Sequence, residues 1–486
     1  MSGARVAVAL AAAIAFLPFL GQGDTWGTHE TRHGEIAREL TAKGDWFIPP
    51  LCGRVYADKP PVFHWLVAAC YAAAGGPGMT AARLPSALAA IAACLGVQAI
   101  GERLASRRAG LLAGLFLAAT PGHAIMARTA RPDMVFCALV LAACLAATPG
   151  TGAAPVEAPA PGGRRGAAAH ALGFGIAMGL AVLVKGPLGL GIPLVFALAL
   201  RRVGGRRPLR GATGVVLAAT GLAAVLAAYA VPLAVRPEGR AYLAALLTHP
   251  DLTSGARSHA RPFYYYLGRF PTAFAPFVPF LALAVRDVVG GGRKAASAAL
   301  IATLASLAIL SAIPGKRIHY LLVVHPFAAL AAAEAVDRRL DGDGARRLRA
   351  LAGALVGLSI AGSLAWYGGG AARLQGPSHL RAFGERAAAL LPPGAPVLSH
   401  NGVGEVVAFL GRRDVLEVDV RGAASWLAAR PGTGYVALRA ETRAELESYV
   451  GRRLDVVHEE REPDGRPPPP PDHYILLKDP GPGPPP

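Results

Sequence analysis

Long apolar runs recur through the first 370 residues of this chain, and no other feature restricts its fold as much. They fall at 5–21, 80–104, 109–127, 133–148, 169–184, 187–200, 211–233, 268–285, 295–313, 318–336 and 350–367. A further run at 62–74 is short and interrupted by His64 and Trp65, which suits a half-buried helix at the membrane interface. Of the 486 residues 53% are hydrophobic and only 16% charged, which excludes an ordinary soluble chain of this length. The pattern predicts an all-α polytopic membrane domain of about eleven transmembrane helices.

The formal net charge of +18 is distributed as the positive-inside rule requires. Arg103, Arg107 and Arg108 share one loop, Arg164 and Arg165 another, and Arg201, Arg202, Arg206, Arg207 and Arg210 a third. Arg286, Arg293 and Lys294 make a fourth, and Arg338, Arg339, Arg346, Arg347 and Arg349 a fifth. These loops alternate with the remainder, so they are expected in the cytoplasm together with the amino terminus. No aromatics interleave the arginines for base stacking, and nucleic-acid binding is excluded. The opening run carries one arginine and no small-x-small cleavage pattern, so it is read as a first membrane helix that stays.

Composition changes after Gly368. β-like runs at 396–400, 415–418, 434–438, 454–460 and 473–478 alternate with helical patterns near 403–411, 421–430 and 441–451. This predicts a small C-terminal extracytoplasmic α/β domain. The expected division is 1–368 for the membrane domain, including a polar loop at 22–61, then 369–465 for the α/β domain. A Pro-rich tail at 466–486 would carry the last strand, 473–478. The Pro/Gly/Ala-rich stretch 149–168 reads as a cytoplasmic linker. Cys70, Cys94, Cys137 and Cys144 sit in apolar helices and Cys52 is alone in the polar loop, so neither a disulfide framework nor a zinc spacing is present.

The polar loop concentrates candidate chemistry. Thr28 can cap a helix that begins with His29 and Glu30, carries Ile36 and Leu40 as its apolar stripe, and stops at Gly44. The amino end of such a helix favours anions and ionised carboxylates, while the plain alternative is a pair of helix-start polar residues. Asp58-Lys59-Pro60-Pro61 is the second polar centre. Its prolines hold the chain extended, so Lys59 suits a phosphate and Asp58 a general base; the alternative is a solvated ion pair.

Cations recur at the other outward turns, against the general bias. Arg128, Arg131 and Asp133 stand in ARTARPDM, Lys185 in VLVKGPLG, and Lys316, Arg317, His319 and Tyr320 in PGKRIHYLL. The loop 234–267 adds His249, Asp251, Arg257, His259, Arg261 and the run Tyr264 to Tyr266. Each alone could be a snorkelling side chain; as a set they predict a shared anion site, with a lipid phosphate or pyrophosphate as the natural anion. His249 and His259 lie ten apart in a loop, a weak ligand signal, and no metal is predicted.

The run HETRHGEIARELTAKGDWFIPPLCGRVYADKPPVFHWL resembles the first outer loop of the polyprenyl-phosphate-sugar-dependent membrane glycosyltransferases, which include the dolichyl-phosphate-mannose protein mannosyltransferases and the bacterial lipid A aminoarabinose transferases. Glu30, Arg32, Glu35, Ile36, Gly44, Asp45, Trp46, Tyr56, Asp58, Lys59 and Pro60 match that loop in order and spacing. Lys185-Gly186-Pro187, the Arg261 to Leu267 run and His319-Tyr320-Leu321-Leu322 resemble the family further on.

The resemblance implies a GT-C fold and transfer of a sugar, with inversion, from a polyprenyl phosphate carrier to an acceptor. It implies an acidic first-loop residue as base and basic residues on the carrier phosphate, with no cofactor beyond the lipid-linked donor. Asp58, His29 and Glu30 are then the catalytic candidates. Lys59, Arg32, Arg131, Lys185, His259, Tyr265, Lys316, Arg317, His319 and Tyr320 are the candidates for substrate binding, and Trp46 for a wall of the cavity. The expected partners are the polyprenyl-phosphate sugar, membrane lipids and a glycolipid, glycan or protein acceptor, and the expected location is a bacterial inner membrane. His29 departs from the family, which carries an acidic residue there; histidine can serve as a base near neutral pH. A non-catalytic carrier-lipid binder or flippase, or a partner in envelope assembly, is the alternative.

Overall fold

The computed structural model describes residues 3–22, 28–148, 163–204, 209, 211–248, 260–290, 296–342, 344–370, 378–460 and 473–481. Its contacts divide the chain into two units. One comprises Met1–Leu20, Ala57–Phe63 and Arg83–Trp366; the other comprises Gly21–Tyr56, His64–Ala82 and Tyr367–Pro486.

The first unit is helical. Among the described residues, Met79–Leu104, Arg165–Lys185, Gly211–Ala234 and Ala345–Gly370 are each long and apolar enough to cross a bilayer. Two bent pairs reach that length only together: Arg107–Ala118 with Pro121–Ala127 at 64°, and Tyr265–Phe274 with Val278–Val289 at 118°. The apolar helices Gly3–Phe16, Pro132–Ala147 and Ala298–Ala312 are shorter, as is Val62–Ala74, which from His64 onward belongs to the second unit. Length and composition therefore support four to six spans, against the about eleven expected from the runs. Proline accounts for part of the difference. Pro121 and Pro279 stand in the first turn of a second half-helix and so split the runs 109–127 and 268–285.

Close packing sets the end of the unit that matters below. The helices Gly163–Lys185 and Gly211–Ala234 meet through glycine: a Cβ on Gly175 would stand 1.9 Å from the carbonyl oxygen of Ala218, and one on Gly221 2.6 Å from that of Leu172. Pro132–Ala147 packs on Gly163–Lys185 as well. Its first turn thereby meets the last turn of its neighbour.

The second unit is mixed. Helix Thr28–Lys43 is followed by the hairpin β1 (Pro50–Leu51) and β2 (Arg54–Val55). Strands β3 (Val397–Ser399), β4 (Leu416–Glu417), β5 (Tyr435–Arg439), β6 (Asp455–Glu459) and β7 (Tyr474–Lys478) form a sheet in the order β4-β3-β5-β7-β6. β3 runs parallel to β4 and β5, with Leu398 opposite both Leu416 and Val436; β7 is antiparallel to β5 and β6. Helices His379–Leu390 and Val403–Gly411 cover one face through Phe383, Val403 and Val407. Val420–Ala429 and Arg443–Val450 cover the other through Val420, Leu427 and Leu446.

This grouping differs from the division expected at 368 and 465. The polar loop belongs with the sheet, because Cys52 is buried in the core built by Val403, Val407 and Val415. Edge strand β4 also donates from Glu417 N to the Cys52 carbonyl, 2.9 Å away. The 473–478 run is no appendage, since β7 is an inner strand between β5 and β6. Most of the linker at 149–168 and most of the Pro-rich tail lie outside the described residues.

Candidate functional site

The helical unit gathers its polar side chains where two helix ends meet. Arg131 is the N-cap of Pro132–Ala147, with extended φ and ψ of −142° and 147°; Pro132 supplies the helical φ of the first position. Asp133 follows in the first turn, where the helix dipole favours a carboxylate. Lys185 ends its own helix, which Gly186 terminates at φ +81°. The Lys185 ammonium pairs with Asp133 Oδ1, and Arg131 Nε lies 3.3 Å from Asp133 Oδ2. His319 Nε2 stands 3.9 Å from Asp133 Oδ1 and 3.1 Å from Arg131 Nη2.

His319 and Tyr320 reach the cluster on the 3-10 turn Ile318–Val323, which Arg317 precedes. The Tyr320 ring lies 4.4 Å from the Lys185 ammonium, in cation–π contact. A small recess opens here, lined by Asp133, Phe136, Lys185, Leu188, His319, Tyr320, Leu322 and Val323. Lys59 lies within electrostatic range of Lys185, and Arg317 of His319. Two buried cations share the Asp133 carboxylate with further positive charge close by, which suits an anion in a medium that screens poorly.

Lys59, Arg131, Lys185, Arg317, His319 and Tyr320 therefore converge. Lys316 does not join them through its ammonium, which donates to the carbonyls of Arg261 (3.1 Å) and Ile313 (2.7 Å) and ties the Ala260–Gly315 bridge. Tyr265 packs edge-on against Tyr266 under Arg269, and Tyr266 is the ring that reaches the segment, donating to the Arg317 carbonyl at 3.2 Å. Asp58 lies within electrostatic range of the Tyr242 hydroxyl, which is 3.2 Å from that of Tyr229. His249, Asp251, Arg257 and His259 lie outside the described residues.

His29, Glu30 and Arg32 belong to the other unit. Helix 28–43 ends at Gly44 as expected, with φ +79° and its N–H on the Leu40 carbonyl. Ile36 and Leu40 are buried with Tyr56, and Trp65 packs against them. Trp46 is exposed, and its carbonyl accepts from the Trp65 indole N–H at 2.7 Å. Glu30, in the first turn of the helix, is fully buried. Burial pushes the Glu35 carboxyl up to about 7 against the pull of Arg38, and pushes the Cys52 thiol up as well.

Asp133, which the sequence places at the same outward turn as Arg128 and Arg131, proves to be the carboxylate at the centre of the cluster. The available signal was a carboxylate one residue after a helix-starting proline in an otherwise apolar helix.

The fold is similar to that of ArnT, the GT-C fold that the sequence resemblance implies. A crystal structure of ArnT from Cupriavidus metallidurans bound to undecaprenyl phosphate superposes with a TM-score of 0.75 at 19% identity, covering 98% of this chain and 97% of that one. The oligosaccharyltransferase AglB from Archaeoglobus fulgidus superposes with a TM-score of 0.56 at 13% identity, covering 95% and 73%. Residues 58–231 match the sequence model of the dolichyl-phosphate-mannose-protein mannosyltransferase family.

Among named relatives, the undecaprenyl phosphate-α-4-amino-4-deoxy-L-arabinose arabinosyl transferase of Aeromonas salmonicida is 28% identical over 347 residues, 70% of this chain and 61% of that protein. A second such transferase, from Sodalis glossinidius, is 34% identical over 175 residues, 36% of this chain and 30% of that protein. The matches thus span less than two thirds of these relatives. The chain is thus similar, in sequence over part of its length and in fold over nearly all of it, to the polyprenyl-phosphate-sugar-dependent glycosyltransferases that its first polar loop resembles.

Proposed function

We propose that this protein is an inverting glycosyltransferase that moves a sugar from a polyprenyl-phosphate carrier to an envelope acceptor, a glycolipid of the lipid A type in the first instance. The observation that carries the reading is the Asp133–Lys185–Arg131–His319 cluster beside Tyr320, with Asp133 and Arg131 buried and Lys185 and His319 nearly so. In this reading the bond from the anomeric carbon to the phosphate oxygen breaks as the acceptor oxygen attacks the opposite face. Charge builds on the departing phosphate, where Lys185, Arg131 and Lys59 stabilise it more than in the ground state. Asp133 holds Lys185 and Arg131 in register, and Asp58 takes the acceptor proton. The short apolar helices complete about eleven crossings in a bacterial inner membrane. The amino terminus is cytoplasmic, and the polar loop and α/β unit lie outside.

Mass spectrometry of envelope lipids and glycans from a deletion strain tests this. A sugar increment that disappears, and returns with the native chain but not with Lys185→Met, is expected; unchanged spectra would remove the reading. His29, where relatives of this family carry an acidic residue, favours a second reading as a carrier binder without turnover. Asp58→Asn separates the two: a transferase loses its product and keeps the carrier, whereas a binder loses nothing.

A further inference from the structure

Helix 28–43, whose Arg32 the family resemblance offers to substrate, is fastened to the α/β unit along its length. Arg32 Nε donates to Glu405 Oε1 at 2.9 Å, and Glu405 is buried in the first turn of Val403–Gly411. The Arg32 guanidinium lies against the turn leaving β3, where Asn401 and Gly402 have φ of 58° and 77°. A Cβ on Gly402 would stand 3.9 Å from Arg32 Nη2. Farther along, Arg38 spans Glu35 (2.7 Å), Asp414 Oδ1 (2.9 Å) and the Arg413 carbonyl (3.2 Å). Between them Gly34 leaves no gap, since a Cβ there would come within 2.5 Å of the Phe409 ring. Cys52 completes the attachment: its N–H donates to Glu39 Oε1 at 2.6 Å and its carbonyl accepts from Glu417 N.

The topology explains why the helix is held here. β3 lies between β4 and β5, so the connections β3–β4 and β4–β5 run in opposite directions along the sheet and the strand order reverses at β3. In open α/β sheets the crevice beyond the carboxyl ends of the strands at such a reversal is where ligands bind. The loop that Arg32 meets is the one leaving β3 at that end.

We propose that this end of the sheet is a holder for the chain's own helix, with Arg32 as the group it binds. Arg32 is then a positioning residue and not a contact to the carrier phosphate. Through it the α/β unit determines where His29 and Glu30 stand. The inference rests on the transferase reading only in its kinetic readout, because the placement of the helix is measurable without turnover.

The test uses the full-length chain in detergent, with Glu405→Gln, Arg32→Gln, and the reversal pair Arg32→Glu with Glu405→Arg, alone and combined. Hydrogen exchange over 28–43 should quicken about tenfold in each single variant, equivalent to roughly 1.4 kcal/mol of local opening. It should recover in the combined reversal. Undecaprenyl phosphate affinity should stay within about twofold throughout, so a variant with turnover would lose kcat while its donor KM held. The proposal is overturned if Arg32→Gln weakens undecaprenyl phosphate binding with exchange unchanged, or if the reversal recovers nothing. Should no variant, nor the native chain, transfer sugar, exchange and binding still decide the matter and only the transferase reading falls.

Discussion

Replacing Asp133 by Asn removes the carboxylate that Lys185 and Arg131 share while keeping the size of the side chain. The Asp133 and Lys185 side chains are 3% and 12% exposed, so water does little to compensate a stranded charge. Removing one member of a buried ion pair costs about 3–5 kcal/mol. Asp133→Asn, which leaves Lys185 and Arg131 without their shared carboxylate, and Lys185→Met, which leaves Asp133 to Arg131 alone, are each expected to cost about 3 kcal/mol. The double variant strands neither partner of that pair and should cost about 3 kcal/mol in place of the sum of about 6, a coupling near 3 kcal/mol. Denaturant titration in micelles measures all four proteins. Additive single costs would refute the claim that these two side chains form one buried unit.

Other expectations follow from the same geometry. Lys316→Met should lower stability by about 1–3 kcal/mol, since its ammonium serves two carbonyls, while leaving undecaprenyl phosphate affinity unchanged in a binding titration. Gly34→Ala should destabilise the α/β unit by about 1–3 kcal/mol through overpacking, and Phe409→Leu in the same chain should relieve much of it in a thermal melt. The Glu35 carboxyl, held near 7 against an ordinary 4.5, keeps its proton in the folded chain over a range where the unfolded chain has lost it. Its contribution to stability is therefore present below pH 4.5 and is lost as pH rises to 7, by at most about 3 kcal/mol. Glu35→Gln should flatten that slope in melts at pH 5 and pH 7.5, and an unchanged slope would assign the dependence elsewhere.

Local signals in the sequence read well. The β-like runs coincide with β3 to β7, and Gly44 stops its helix with positive φ because only glycine takes that conformation without strain. Lys185 was legible as a cation where the charge bias opposes one. What escaped was set by pairing between distant segments. Nothing near Cys52 announces that it will enter a core built from residues beyond 380, or that residues 473–478 will insert between two earlier strands. Lys316 and Lys185 look alike as isolated cations near helix ends. Only the carbonyls of Arg261 and Ile313 separate the one that braces a turn from the one that faces Asp133. The central place of Asp133 was hidden for the same reason, since it depends on the end of a helix some fifty positions later.

In the proposed function the cations around Asp133 hold a lipid phosphate. Comparing the affinity of the purified protein for undecaprenyl phosphate and for undecaprenol tests it most directly, in the native chain and in Lys185→Met. A preference for the phosphate of at least about tenfold, roughly 1.4 kcal/mol, is expected in the native chain and should largely disappear in the variant. Equal affinity for the two lipids in the native chain, or a preference that Lys185→Met leaves intact, would contradict it.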